Sequence, residues 1–182
     1  MVGIGPTATP ERTMLAKIPV WVFPLFVLLL ALGWRQATTR TLRPALLAWV
    51  GVAMVGLSLA GVVTMPGPGA ALLLAWATGL ALALSVGRPV FHPGPLAMAG
   101  ARVQVPGSLM PLVLMMTIFA AKFSIGFATG LGVAMVSSDG FQFVSAGLFG
   151  LLSGGFAARG LAVWQFARAG TGRPVLVVPA AI

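Results

Sequence analysis

Five mostly apolar stretches run through this chain: Ile18 to Trp34, Pro44 to Thr64, Gly69 to Gly87, Ser108 to Leu131 and Phe141 to Ala167. A helix that crosses a bilayer needs about 20 such residues, and within lipid only a helix or a closed barrel satisfies its own backbone hydrogen bonds. The pattern predicts an all-α membrane protein, a bundle of five transmembrane helices. Residues 1–17 are expected as an N-terminal tail outside the membrane, 18–168 as the five-helix domain and 169–182 as a cytoplasmic tail. Charged residues make up 7% of the chain, against about a quarter in soluble domains, which excludes an ordinary soluble fold.

The first span has to be weighed as a signal peptide, because Lys17 precedes it and Ala31-Leu32-Gly33 resembles a small-residue cleavage site. Arg35, Arg40 and Arg43 follow at once, and such a cluster resists export. An uncleaved anchor helix is therefore expected. The loops after the first and third spans and the C-terminal end carry Arg35, Arg40, Arg43, Arg88, Arg102, Arg168 and Arg173, whereas the second loop, MPGPG, has no charge and the fourth holds only Asp139. The positive-inside rule then puts the N-terminus outside and the C-terminus in the cytoplasm. A net charge of +9 spread over span ends in this way marks topology and points away from nucleic acid.

The third loop has room for structure. Leu96 to Met98 and Arg102 to Val105 flank Ala99-Gly100-Ala101, and Pro93, Pro95 and Pro106 fence both arms from the helices. This predicts a short cytoplasmic β-hairpin over Leu96 to Val105; an irregular proline-rich connector is the competing reading. After Arg168 the segment Val175 to Val178 reads as a strand or as a surface-lying apolar tail.

Little drives helices together in lipid except close approach at small residues and interhelical hydrogen bonds. The third span has Ala71, Ala75, Gly79, Ala83 and Gly87 at intervals of four, the fifth has Ala146, Gly150, Gly154 and Ala158, and the fourth adds Gly126 and Gly130. Each run predicts a packing face. Gly51, Gly56 and Gly61 in the second span recur every five residues and predict contact with more than one neighbour. Trp21, Trp34 and Trp164 suit the membrane interface; Trp49 and Trp76 lie deeper, as packed or lipid-facing rings. Met110, Met115 and Met116 read as core filler.

Two acidic residues, one His, no Cys and no Tyr leave almost none of the groups from which acid–base or nucleophilic sites are made. No enzyme, metal site or cofactor is expected. His92 reads as a loop histidine and Asp139 as a cap of the fifth span. Lys122 differs, since the helical rise puts it within a few ångströms of the centre of the fourth span, where a cation is costly and is held either by structural means, such as backbone carbonyls, water or snorkelling, or as a functional site. Thr129 is the one polar neighbour on its face. Arg159, roughly 7 Å from the centre of the fifth span, reaches the interface by snorkelling, with Gly155 making room. Lys122, Thr129 and Arg159 are the candidate contacts for a ligand or partner.

At WVFPLFVLLLALGWRQ, VPGSLMPLVLMMTIFAAKFSIG and GLFGLLSGGFAARGL the chain resembles a family of small, uncharacterised bacterial inner-membrane proteins with five transmembrane helices, a domain of unknown function. PGS followed by FAAKF (Pro106 to Ser108, Phe119 to Phe123) is the most specific part. The resemblance implies the same architecture and location in the bacterial inner membrane, and no mechanism. The leading expectation is a non-enzymatic accessory or assembly subunit or self-associating bundle, partnered by membrane lipids and by copies of itself or a larger membrane complex. The alternative is a small transporter or channel in which Lys122 meets an anionic or amphiphilic ligand.

Overall fold

The computed structural model describes Val20 and residues 22–170. The expectations for the N-terminal tail, for Trp21 and for Val175 to Val178 lie outside the described residues. The chain is mostly helical, in the order α1 (Val22–Arg35), β1 (Arg40–Leu42), α2 (Pro44–Val63), α3 (Gly69–Ser85), a single turn α4 (Arg88–Phe91), β2 (Ala97–Ala99), β3 (Arg102–Val105), α5 (Met110–Gly130), a 3-10 turn (Ala134–Ser137) and α6 (Asp139–Gly170). Proline supplies several starts: Pro44, Pro89 and Pro111 occupy first-turn positions of α2, α4 and α5, where the missing N–H has no intrahelical partner to lose.

Among the described residues three helices, α2, α5 and α6, are long and apolar enough to cross a membrane. The apolar helices α1 and α3 are shorter, 14 and 17 residues, or about 21 and 26 Å at the helical rise, below the roughly 30 Å of hydrocarbon. Many large side chains on the outer faces of the helices are apolar, with Phe23, Trp34, Trp49, Leu57, Leu74 and Val144 each at least 60% exposed, as on a surface solvated by lipid.

Helix α6 is the axis of the molecule, with α3 on one side and α2 on another. The small-residue stripes meet each other there. A side chain at Gly79 would collide with the Gly147 carbonyl, and one at Gly150 with the Trp76 carbonyl; one at Gly154 would come within 2.6 Å of the Ala83 methyl. Ala75, Ala83, Ala146 and Ala158 are buried in the same seams. On α2, Gly51 lies against the backbone of Ala157 and Gly61 against the Lys122 side chain, while Gly56 faces open space. The five-residue spacing thus reaches two neighbours, α6 and α5. A polar chain stitches three helices: the Trp76 indole N–H donates to Ser58 Oγ at 3.1 Å, and Ser58 donates to the Phe149 carbonyl at 3.1 Å. Trp76 is accordingly a packed ring, whereas Trp49 is exposed.

The expectation for the fourth span needs correction. Gly126 and Gly130 meet nothing within 4 Å, and buried residues of α5 are confined to Pro111 and Leu114. This helix is held instead through α1, where Leu112 fills the space over Gly33 and Phe26 meets Phe119 with ring centroids 5.6 Å apart. Phe119, Phe123 and Phe127 continue as a ladder along α5. A small residue records that close approach is permitted; large partners elsewhere on α5 decide which face is used.

The hairpin forms, with Ala99 opposite Arg102 across the two-residue turn Gly100-Ala101. Gly100 has φ +62°, the conformation that such a turn requires at its first central position and that glycine adopts without a steric penalty. The ribbon is part of a three-stranded sheet, because β1 from the first loop pairs antiparallel with β3, giving the order β1-β3-β2. Val103 and Val105 point from β3 into a cluster with Val163 and Ala167 of α6. The sheet therefore rests on the last turns of α6, which run past the expected span end at Ala167. At the other end of α6 the cap is Ser138, whose Oγ accepts from the Phe141 N–H at 3.4 Å, with Asp139 in the first turn and not the cap expected.

The third strand has a direct test, because the chain has no native cysteine. Thr41 lies opposite Gln104, so a Thr41→Cys/Gln104→Cys pair should form a disulfide under mild oxidation. Thr41→Cys/Ala97→Cys, two strands apart, should not; equal crosslinking of both pairs, read on a gel after protease cleavage between them, would refute the strand order.

Candidate functional site

Arg40 of β1 and Arg159 of α6 line one cleft of about 270 Å³, which also has Gln36 as a long polar side chain and Leu46, Val50, Met54, Met115 and Phe156 among its apolar walls. Each element is placed for a local reason. Strand β1 carries Arg40 because β3 pairs with it; Ser108 N–H donates to the Gln36 carbonyl at 3.0 Å, fixing the loop after α1 to the chain that enters α5. Gly160 brings α6 against the Leu47 backbone of α2, which sets the depth at which Arg159 emerges.

Arg159 is 7% exposed. Its Nη1 donates to the carbonyls of Phe91 and His92, both at 3.4 Å, long for hydrogen bonds to a charged donor, which usually run about 2.7–2.9 Å. Among the described residues no carboxylate lines the cleft. The nearest acid along α6, Asp139, is 20 residues away, about 30 Å at the helical rise. Burial first, and the charge of Arg35 second, hold the Arg40 guanidinium below its ordinary pKa, and an anion in the cleft would relieve both. The Gln36 amide, meanwhile, donates to Met115 Sδ at 3.8 Å, a weak acceptor. Two guanidinium forks and an underused amide donor thus face one space with apolar walls. Such a set can hold an anionic group attached to an apolar body; it contains no general base or nucleophile.

The three residues expected from sequence are dispersed. Lys122 lies elsewhere, its ammonium 4.2 Å from the centroid of the Phe149 ring and against Gly61, so it reaches between α2 and α6 without lining the cleft. Thr129 is exposed and donates to its own helix at Ile125 O, 2.8 Å. Arg159 meets Arg40, and the room over Gly155 is taken by Phe91 and Leu114. His92 is the loop histidine expected, its Nδ1 accepting from Gly94 N–H at 3.1 Å. Sequence reasoning missed Arg40 and Gln36. The sequence marks Arg40 only as a topology determinant, since the three residues of β1 are too few to carry a strand pattern.

No protein-family model, no curated protein and no solved structure matches this chain, so the resemblance drawn above rests on its three segments and the functional reading rests on the geometry of the cleft.

Proposed function

We propose that this chain is a non-enzymatic integral protein of a bacterial inner membrane, a five-span bundle with its N-terminus outside and C-terminus cytoplasmic, which binds an anionic amphiphile between Arg40 and Arg159. It acts as an accessory or assembly subunit whose association with other membrane components is tied to that ligand. The observation carrying the reading is Arg159, buried beside a second arginine with no carboxylate among the described residues that line their cleft. Two like charges are brought together in a semi-enclosed space only at a cost, and an anion removes it. The orientation is supported by the basic loops; it puts the cleft at the cytoplasmic headgroup level, where lipid phosphates are abundant. The transporter reading through Lys122 is not favoured, since that ammonium is engaged by Phe149.

The test is lipid retention by the purified, delipidated full chain. In native mass spectrometry, phosphatidylglycerol should remain bound at least fivefold more than phosphatidylcholine of the same chain length. Equal retention of the two would overturn the reading.

A further inference from the structure

The charge and the donor count of the cleft say more than that its ligand is anionic. Resting on the reading above, we propose that the ligand is a lipid phosphomonoester, a singly substituted phosphate carrying two negative charges on three terminal oxygens, with its hydrocarbon chain leaving the cleft along α2.

The lining residues, among those described, contribute two positive charges and no negative one. A phosphodiester headgroup brings one charge and two terminal oxygens, which leaves a guanidinium unmatched. A phosphomonoester dianion neutralises both and presents a third oxygen. Arginine forks pair with two phosphate oxygens at a time, and the third oxygen suits the Gln36 amide, whose current acceptor is a thioether sulfur at 3.8 Å.

The volume decides what else enters. About 270 Å³ lies just below the roughly 300–1,000 Å³ of pockets that enclose a drug-sized ligand, so the headgroup and its first carbons fit and the chains do not. Their path is visible in the lining: Leu46, Val50 and Met54 recur every four residues on one face of α2. Leu46 and Val50 are 55% and 43% exposed, and the stripe leads about 12 Å along the helix from the charged end. A water-soluble phosphate would have no use for that stripe.

A phosphomonoester also imposes a pH dependence, because its second ionisation falls near pH 6. Besides Arg40 and Arg159, the neighbouring charged or titratable groups are Arg35, whose charge acts on Arg40, and His92, whose carbonyl accepts from Arg159, while Arg43 follows β1 and Arg102 opens β3. All of these groups are basic, and a basic group cannot lose positive charge on acidification, so none of them can weaken anion binding at low pH. Weaker binding at low pH therefore has the ligand as its source.

The experiment uses the full chain in phosphatidylcholine nanodiscs doped with phosphatidate or with phosphatidylglycerol, with inorganic phosphate as the soluble arm. At pH 7.5 phosphatidate should be preferred over phosphatidylglycerol at least tenfold, and at pH 5.5 by less than threefold. Inorganic phosphate should compete only at millimolar concentration. Gln36→Leu should lower phosphatidate binding threefold to tenfold and leave phosphatidylglycerol binding unchanged; Arg40→Gln should bring the two lipids to equal affinity. Equal binding of the two lipids by the unmodified protein would overturn the phosphomonoester assignment while leaving the anionic-amphiphile reading in place. Retention of neither above phosphatidylcholine would overturn both. Micromolar competition by inorganic phosphate would overturn the lipid assignment alone. Should Arg40→Gln fail to fold, Gln36→Leu and the pH profile of the unmodified chain each suffice to reject the proposal.

Discussion

Gly150→Leu is expected to leave the protein without a folded bundle, the largest stability effect of any single substitution considered. The position is one where α6 approaches α3 backbone to backbone: a Cβ there would overlap the Trp76 carbonyl and lie 3.1 Å from the Leu80 nitrogen. Overpacking a core costs about 1–3 kcal/mol when side chains can shift; here the obstacles are main-chain atoms of a helix, so the helices must part. Parting them also breaks the Trp76–Ser58–Phe149 hydrogen bonds, and in lipid such interhelical bonds and close contacts are what hold a bundle together. Two controls make the result specific. Gly56→Leu projects into open space and should melt within a few degrees of the unmodified protein. Gly61→Ala meets only the flexible end of Lys122, which can swing away, and should be nearly as mild. Thermal unfolding in detergent, followed by tryptophan fluorescence, checks all three. A folded Gly150→Leu variant melting near the unmodified protein would refute the α3–α6 seam.

The same contrast explains what could be read from the sequence. Ala75, Gly79, Ala83, Ala146, Gly150 and Gly154 disclosed the central seam because, in lipid, small residues at intervals of four are the main local sign of close packing. Gly100 between two apolar arms disclosed the hairpin, since turn chemistry is local. Gly126 and Gly130 misled because the same spacing on α5 lacks a partner, and a partner is a tertiary fact. Strand β1 was hidden because three residues, Arg40–Leu42, carry too little pattern, and their pairing with β3 spans more than sixty residues of chain. The cleft was hidden for the same reason in stronger form: Arg40 and Arg159 come from the first loop and the last helix. Depth along each helix could be calculated for Lys122 and Arg159, but depth says nothing of lateral position, and the two cations face different spaces.

Arg159→Met separates a structural arginine from a binding one, because the two roles predict opposite changes in the ligand-free protein. An arginine kept for structure would contribute through its hydrogen bonds, and losing those to Phe91 and His92 would destabilise by about 1.5–3 kcal/mol for each bond to a charged donor. The bonds are long, however, and the guanidinium is buried beside Arg40 with no carboxylate among the described residues that line the cleft. Replacing buried charge with an apolar side chain of similar volume is often neutral or stabilising, by roughly 1–4 kcal/mol in systems where it has been done. Methionine fills the cleft wall beside Met54 and Phe156 and leaves Arg40 without a like-charged neighbour. The delipidated variant is therefore expected to melt at or above the temperature of the unmodified protein, by up to about 2 kcal/mol in stability. Anionic lipid should meanwhile bind at least tenfold more weakly, and its addition should raise the melting temperature less than in the unmodified protein, because stabilisation by a ligand grows with the logarithm of its concentration over its Kd. Melting curves with and without phosphatidate decide the matter. A variant that melts well below the unmodified protein, yet gains as much stability as that protein on adding the lipid, would show that Arg159 serves the fold and that the ligand binds elsewhere.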